Sequence, residues 1–160
     1  MDILIISDSH GKNDNIKKLL SRFRHLDLVI HLGDSQCYPS TMTGLMPCPL
    51  HIVRGNCDFI PGYPTNDVIP LQEHLAFITH GHNHYVKYRF DELRDAAKAN
   101  GADIAMFGHT HEPYIDDSDS ELLILNPGSI ERPRQANGRP SYIFLGIDED
   151  GTLHPNICYL

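Results

Sequence analysis

Five times along this chain a run of apolar residues stops at side chains that bind divalent metals. Ile3-Leu4-Ile5-Ile6 leads to Ser7-Asp8-Ser9-His10, and Leu28-Val29-Ile30-His31-Leu32 leads to Gly33-Asp34. His51-Ile52-Val53-Arg54 leads to Gly55-Asn56-Cys57-Asp58, and Ala76-Phe77-Ile78-Thr79 to His80-Gly81-His82. Ile104-Ala105-Met106-Phe107 leads to Gly108-His109-Thr110-His111. Carboxylate, amide oxygen and imidazole form a borderline-to-hard donor set suited to manganese, iron or zinc, whereas a structural zinc site favours cysteine. Asp8 and His10 are two residues apart, as are His109 and His111, so extended chain would aim each pair the same way. Gly33, Gly55, Gly81 and Gly108 stand beside these residues, where a sharp turn or a close backbone approach needs a residue without Cβ. Each piece alone is common: Asp and His abound on exposed loops, and Gly-Asp usually marks a turn. The recurrence after five buried runs is what points to one shared metal site.

Such a site needs elements that bring distant segments together. In open α/β sheets the loops leaving the carboxyl ends of strands converge in one crevice. The apolar runs predict strands over residues 1–6, 26–32, 50–54, 67–72, 75–79 and 104–107, with a tight turn at Glu73-His74. Ile16, Leu19, Leu20 and Phe23 recur at helical spacing behind Asn13 or Asp14 as a cap. Residues 91–100 form a second helix, stopped by Gly101. Residues 33–49, rich in Gly, Pro, Ser and Thr, read as a loop with room for a short helix. The last third (113–116, 122–125, 142–147 and 153–160) reads as strands and turns. Strand and helix alternate first and strands dominate later, which suggests layered sheets flanked by helices.

The totals are those of an ordinary soluble domain. A length of 160 residues suits one domain over 1–160, able to bury roughly 70% of its unfolded surface without staples. No apolar run approaches the ~20 residues that span a bilayer, and the opening run reads as a strand, not a signal peptide. That places the protein in the cytoplasm, without membrane partners. Four cysteines without CxxC or zinc-finger spacing read as free thiols in a reducing compartment. A formal charge of -8 argues against extended nucleic-acid binding and leaves room for bound cations. The eleven histidines cluster at 80, 82 and 84 and again at 109 and 111.

The ordered motifs Asp8-x-His10, Gly33-Asp34, Gly55-Asn56-Cys57-Asp58, His80-Gly81-His82 and Gly108-His109-Thr110-His111 resemble the calcineurin-like metallophosphoesterases. Their spacing and Asn126-Pro127-Gly128-Ser129 are similar to the compact bacterial and archaeal phosphodiesterase branch, over most of the chain. The resemblance implies an α/β fold, a four-layer α/β/β/α sandwich of two mixed sheets flanked by helices. It also implies two divalent ions, manganese first, with nickel, iron or zinc as alternatives. Asp8, His10 and His111 would hold one ion, Asn56, His80 and His109 the other, and Asp34 would bridge them. Two ions about 3.5–4 Å apart clamp a phosphate, and a hydroxide shared between them attacks phosphorus in line. The implied activity is phosphodiester hydrolysis on a small phosphate-ester substrate, with Asp34, Asn56, His10 and Cys57 as catalytic candidates. Phosphomonoesterase or nucleotide phosphatase action is the alternative within the class. A scaffold like the eukaryotic retromer subunit of this fold is the alternative outside it, disfavoured because every metal position carries a suitable side chain. A homodimer is an expectation by analogy with relatives.

One position departs from the wider family, where histidine follows Gly-Asn and is thought to protonate the leaving oxygen. Here it is Cys57. A thiol can donate a proton, but cysteine is more often a small buried hydrophobe, and that is the preferred reading. His82 and His84 read as solvated loop residues, with ligand orientation or substrate contact as the alternative. Asp58 reads as a support for Asn56 or a histidine, with Arg54 as its counter-charge. Arg132 and Arg134 read as surface residues, with substrate phosphate binding as the alternative. His25, His31, His51, His74 and His154 read as structural or surface residues.

Overall fold

The apolar runs become strands buried on both faces, because each lies between two other layers. In the computed structural model, which describes all 160 residues, β1 (Asp2–Ile6) turns Ile3 and Ile5 toward a facing sheet. It turns Leu4 and Ile6 toward helices. The chain continues through α1 (Asp14–Leu20), β2 (Leu28–His31), α2 (Pro39–Leu45), β3 (Leu50–Ile52), β4 (Asn66–Leu71) and β5 (His74–Thr79). A single 3-10 turn (His82–His84) and α3 (Asp91–Ala99) follow. Then come β6 (Ile104–Met106), β7 (Pro113–Asp116), β8 (Leu123–Pro127), β9 (Ser141–Ile147) and β10 (Leu153–Tyr159).

The strands form two mixed sheets, ordered β10-β9-β1-β2-β3 and β4-β5-β6-β8-β7. In each, three neighbouring strands are parallel: β1, β2 and β3 in one, β5, β6 and β8 in the other. Ile5, Ile30, Val53 and Ile143 of the first sheet interleave with Ile78, Ile104, Met106 and Leu125 of the second. The outer face of the first sheet is covered by Ile16 and Leu19 of α1 and Met42 of α2. Leu93 and Ala97 of α3 cover the outer face of the second. This is the expected four-layer α/β/β/α sandwich.

Several local expectations differ. Asn13 precedes α1 without capping it; its amide lies against the Cys37 thiol instead. The helix ends at Leu20, so Phe23 is outside it and stacks on Phe144 with ring centroids 5.7 Å apart. The short helix in the loop after β2 is present as α2. The β4–β5 turn is Gln72-Glu73, one residue earlier than expected, because His74 is held in the strand opposite Leu71.

His74 fastens the two sheets together at the amino end of β5. Its Nδ1 lies 2.6 Å from Asp103 Oδ2, and its Nε2 lies 2.8 Å from the carbonyl of Gly151, in the β9–β10 turn. Both partners are acceptors, and a neutral imidazole has only one N–H, so only the imidazolium satisfies both. Burial pulls the ring down, but the Asp103 and Gly151 hydrogen bonds outweigh it and hold its pKa above the ordinary value. A folded pKa above the unfolded one gives stabilisation that is full below about pH 6.5 and lost as pH rises through the folded value. In urea unfolding, wild type and His74→Leu should differ most near pH 5.5 and converge by about 1 kcal/mol toward pH 8.5. A gap independent of pH would show that the imidazolium does not brace the sheets.

Candidate metal centre

The carboxyl ends of β1, β2, β3, β5 and β6 meet, and all seven candidate ligands follow directly from them. Backbone hydrogen bonds stitch the loops together: Asp8 N–H donates to Gly33 O, His10 N–H to Asp34 O, and Gly108 N–H to His80 O. The paired residues are not in extended chain, as their spacing suggested. Asp8, His10, Asp34, His109 and His111 all have left-handed backbone, with φ of 57, 47, 54, 68 and 64°. The ends of β1, β2 and β6 turn sharply, and residues in the left-handed region there bring the side chains inward; Asn56 and His80 are placed without such a conformation. Non-glycine residues pay roughly 1–2 kcal/mol each for that conformation, and clustered strain of this kind marks functional sites. Two glycines make room: a Cβ on Gly33 would lie 2.7 Å from His80 Nδ1, and one on Gly55 would run into Asp34.

The two carboxylates are fully or almost fully buried and are arranged alike. Asp8 Oδ2 accepts the backbone N–H of His109 at 3.1 Å, and Asp34 Oδ1 accepts that of Cys57 at 2.7 Å. The other oxygen of each faces the imidazoles. His111 Nε2 lies 3.1 Å from Asp8 Oδ1, and His10 Nε2 lies 3.9 Å from both Asp8 Oδ1 and Asp34 Oδ2. His80 Nε2 lies 3.6 Å from Asp34 Oδ2 and 3.2 Å from Asn56 Oδ1. Asp34 therefore stands between His10 on one side and His80 on the other. The His109 ring packs against His80 at a centroid separation of 5.1 Å.

The donor chemistry fits a cation. His111 Nδ1–H donates to Arg132 O and His80 Nδ1–H to Leu32 O, both at 2.6 Å. In the neutral rings each Nε2 then carries a lone pair aimed at an oxygen acceptor, an arrangement that needs a positive charge between them. Asp8 Oδ1 and His10 Nδ1 are buried without a hydrogen-bond partner; His111 is near that oxygen but off the hydrogen-bonding angle. Burial pushes both carboxyls up, but His111 and His80 beside Asp8, and His80 beside Asp34, hold them below the ordinary range. Burial pulls His80 down, yet Asp34 and Asp8 raise it overall; a bound metal would replace that proton. Burial, aided by His80 and Lys87, brings His109 down to about 4.

Other residues are placed differently from expectation. Asp58 supports neither the Asn56 side chain nor a histidine: its oxygens accept the N–H groups of Gln36 and Gly55, bracing the loops of Asp34 and Asn56. Arg54 bonds the Asp58 backbone carbonyl, not its carboxylate. His82 and His84 are half-buried in the 3-10 turn, not solvated; His82 neighbours His80 and His109, and His84 sits edge-on to Phe77. His31 is structural, as expected, but close to the site. It is fully buried, accepts Gly33 N–H and contacts Ser9, and burial lowers it to about 4. His25, His51 and His154 pair with surface aspartates. Cys57 lines the cavity, its thiol pushed up to about 11 by burial and by Asp34. Asn126 and Ser129 of the Asn-Pro-Gly-Ser segment hold Gly108 O and Asp8 O. The cavity over the centre, about 450 Å³, is also lined by Lys87, Pro133, Arg132 and Arg134. Lys87 carried no signal in the sequence: it belongs to no motif and follows the 3-10 turn.

Residues 1–150 match the family model described as the calcineurin-like phosphoesterase superfamily domain. The chain is 34% identical over 154 residues to a probable metallophosphoesterase, YsnB, of Bacillus subtilis, covering 94% of this chain and 86% of that protein. It is 27% identical over 157 residues to a phosphodiesterase of Methanocaldococcus jannaschii, covering 80% and 83%. A crystal structure of a single mutant of Vps29 from Entamoeba histolytica shares the fold, with a TM-score of 0.79 at 21% identity, covering 100% and 99%.

Close packing of Asp34 on Gly55 predicts a specific sensitivity. Saturating manganese at about 100 times its Kd stabilises a folded protein by about 2.7 kcal/mol. Gly55→Ala should lose most of the manganese-induced rise in Tm. Gly44→Ala, where nothing lies within 4 Å of the added carbon, should keep it. A full metal response in Gly55→Ala would show that this contact does not position the centre.

Proposed function

From the premise that this chain belongs to the calcineurin-like phosphoesterase superfamily, we propose that it is a metal-dependent phosphodiesterase. The observation that carries the reading is the treatment of the two buried carboxylates. Each gives one oxygen to a backbone N–H and leaves the other among imidazole nitrogens that need a cation. Asp8, His10 and His111 are assigned to one divalent ion and Asn56, His80 and His109 to a second, with Asp34 between them. Manganese is the first choice of metal. Such ions, when bound, polarise phosphoryl oxygens and lower the pKa of water to near neutral.

The chain's own residues orient the rest. Leu32 O and Arg132 O fix the tautomers of His80 and His111, so His80 presents Nε2 to Asp34 and Asn56 and His111 presents Nε2 to Asp8. The Cys57 thiol stays neutral at ordinary pH and borders the cavity floor, but no histidine takes the place of a leaving-group acid. That supports diesters with good leaving groups as the substrates that react well. The relative from Methanocaldococcus jannaschii named as a phosphodiesterase supports the same reading. The shared fold of Vps29 leaves the scaffold alternative standing but does not favour it over the enzyme, since no candidate ligand is missing. Free cysteines and the lack of any helix long and apolar enough to cross a membrane are consistent with work in the cytoplasm.

Metal-stripped protein titrated with manganese should hydrolyse bis-p-nitrophenyl phosphate faster than p-nitrophenyl phosphate, and Asp34→Asn should lower diester turnover about a thousandfold. Greater turnover of the monoester would overturn the diesterase assignment in favour of a monoesterase. Across a series of aryl and alkyl diesters, the rate should fall steeply as the leaving-group pKa rises. A flat dependence would mean that Cys57 or another residue protonates the leaving oxygen.

A further inference from the structure

Three of the chain's 13 basic residues, Lys87, Arg132 and Arg134, line the cavity over the candidate metal centre. None has a carboxylate partner. Elsewhere on the surface Lys12, Lys17, Arg89, Arg94 and Lys98 are paired, while Lys18, Arg22, Arg24, Arg54 and Arg139 are not, so what sets the three apart is that they meet at one cavity. In a chain of net charge -8, unpaired cations gathered at one cavity make a local field opposite to that of the whole molecule.

The arginines are held there by the site itself. Arg132 N–H donates to Ser129 Oγ at 2.7 Å, and its carbonyl accepts His111 Nδ1–H. Arg134 N–H donates to His111 O at 3.1 Å, and its guanidinium reaches Thr110 O at 3.4 Å. The cations reach the cavity from two stretches of chain, Lys87 from the segment after the 3-10 turn and Arg132 and Arg134 from the segment between β8 and β9. All three are exposed at the mouth, whereas Asp8, Asp34 and His80 are buried at the floor.

These charges exceed what the scissile group requires. A diester carries one negative charge, and two divalent ions set against Asp8, Asp34 and one hydroxide already offset it. Guanidinium forks at the mouth match a planar or tetrahedral oxyanion farther out on the substrate. We infer that the cavity selects phosphate diesters bearing a second anionic group, a phosphate or a carboxylate, on one ester arm, with Lys87, Arg132 and Arg134 as the specificity determinants. The inference rests on the diesterase reading and deepens it.

The test compares two substrates of the manganese-loaded protein: the p-nitrophenyl diester of thymidine monophosphate, with and without a second phosphate on the sugar. Wild type should favour the doubly anionic diester about tenfold in kcat/KM, mainly through KM, and less so at high salt. Combining Lys87→Gln, Arg132→Gln and Arg134→Gln should bring the ratio close to one. A merely structural role would lower both substrates together and leave the ratio intact. Lys87→Gln alone, on a separate segment, should lower the ratio in the same direction. Independently of turnover, inorganic pyrophosphate should bind metal-stripped wild type in calorimetry about tenfold more tightly than it binds the triple variant. Equal kcat/KM for two diesters that are both cleaved overturns this inference and leaves the diesterase standing. Cleavage of neither diester overturns the diesterase reading. Pyrophosphate binding unaffected by the three substitutions overturns the cation site itself.

Discussion

Two carboxylates buried at the ends of neighbouring parallel strands set the terms for everything around them. An ionised Asp in such a place is costly unless each oxygen finds a partner, and a single histidine cannot supply both. Asp8 and Asp34 meet half of this constraint with one backbone N–H each, drawn from the loops of His109 and of Cys57, and leave the other oxygen facing imidazoles. The Asp8 contact crosses from the end of a strand in one sheet to the end of a strand in the other, so the same bond that solvates the carboxylate also ties the two sheets together. The left-handed turns at Asp8, His10, Asp34, His109 and His111 belong to this arrangement, as does the bare Cα of Gly55 pressed on Asp34.

The sandwich divides its work between its two ends. At the carboxyl ends of the parallel strands, strained turns and unpaired polar atoms leave a candidate centre whose electrostatics call for positive charge. At the opposite end, His74 joins the sheets through Asp103 and Gly151 with every polar group paired. Between them lies an apolar interface of Ile, Leu, Val and Met in which no charge intrudes. Such close-packed cores are stiff, which lets strand ends on different sheets hold ligands at fixed separations.

Around the centre, supporting groups act mostly on backbone. Asp58 braces two loops through N–H groups, His31 braces Gly33, and Ser129 braces the Asp8 carbonyl. Since these contacts fix chain paths, the side chains of the centre inherit their positions from several independent supports. The segment that carries Arg132 and Arg134 is tied to His111 at two backbone atoms, so the metal centre and the cationic rim are built as one piece.

The sequence by itself determined the candidate ligand residues, the strand ends that carry them and, through the family resemblance, the layered fold. Those features are written in local order: apolar runs, the residue that ends each run, and glycine beside it. Tertiary structure alone decided the left-handed turns where extended chain was expected, the attachment of Asp58 to backbone and the one-residue shift of the β4–β5 turn. It also decided the tautomers of His80 and His111, and it brought Lys87, a residue without any motif, to the rim. The reason is that each depends on partners remote in the chain. His10 and His111 lie 3.3 Å apart across 101 residues, and no periodicity records which carbonyl will meet which ring once two sheets have packed.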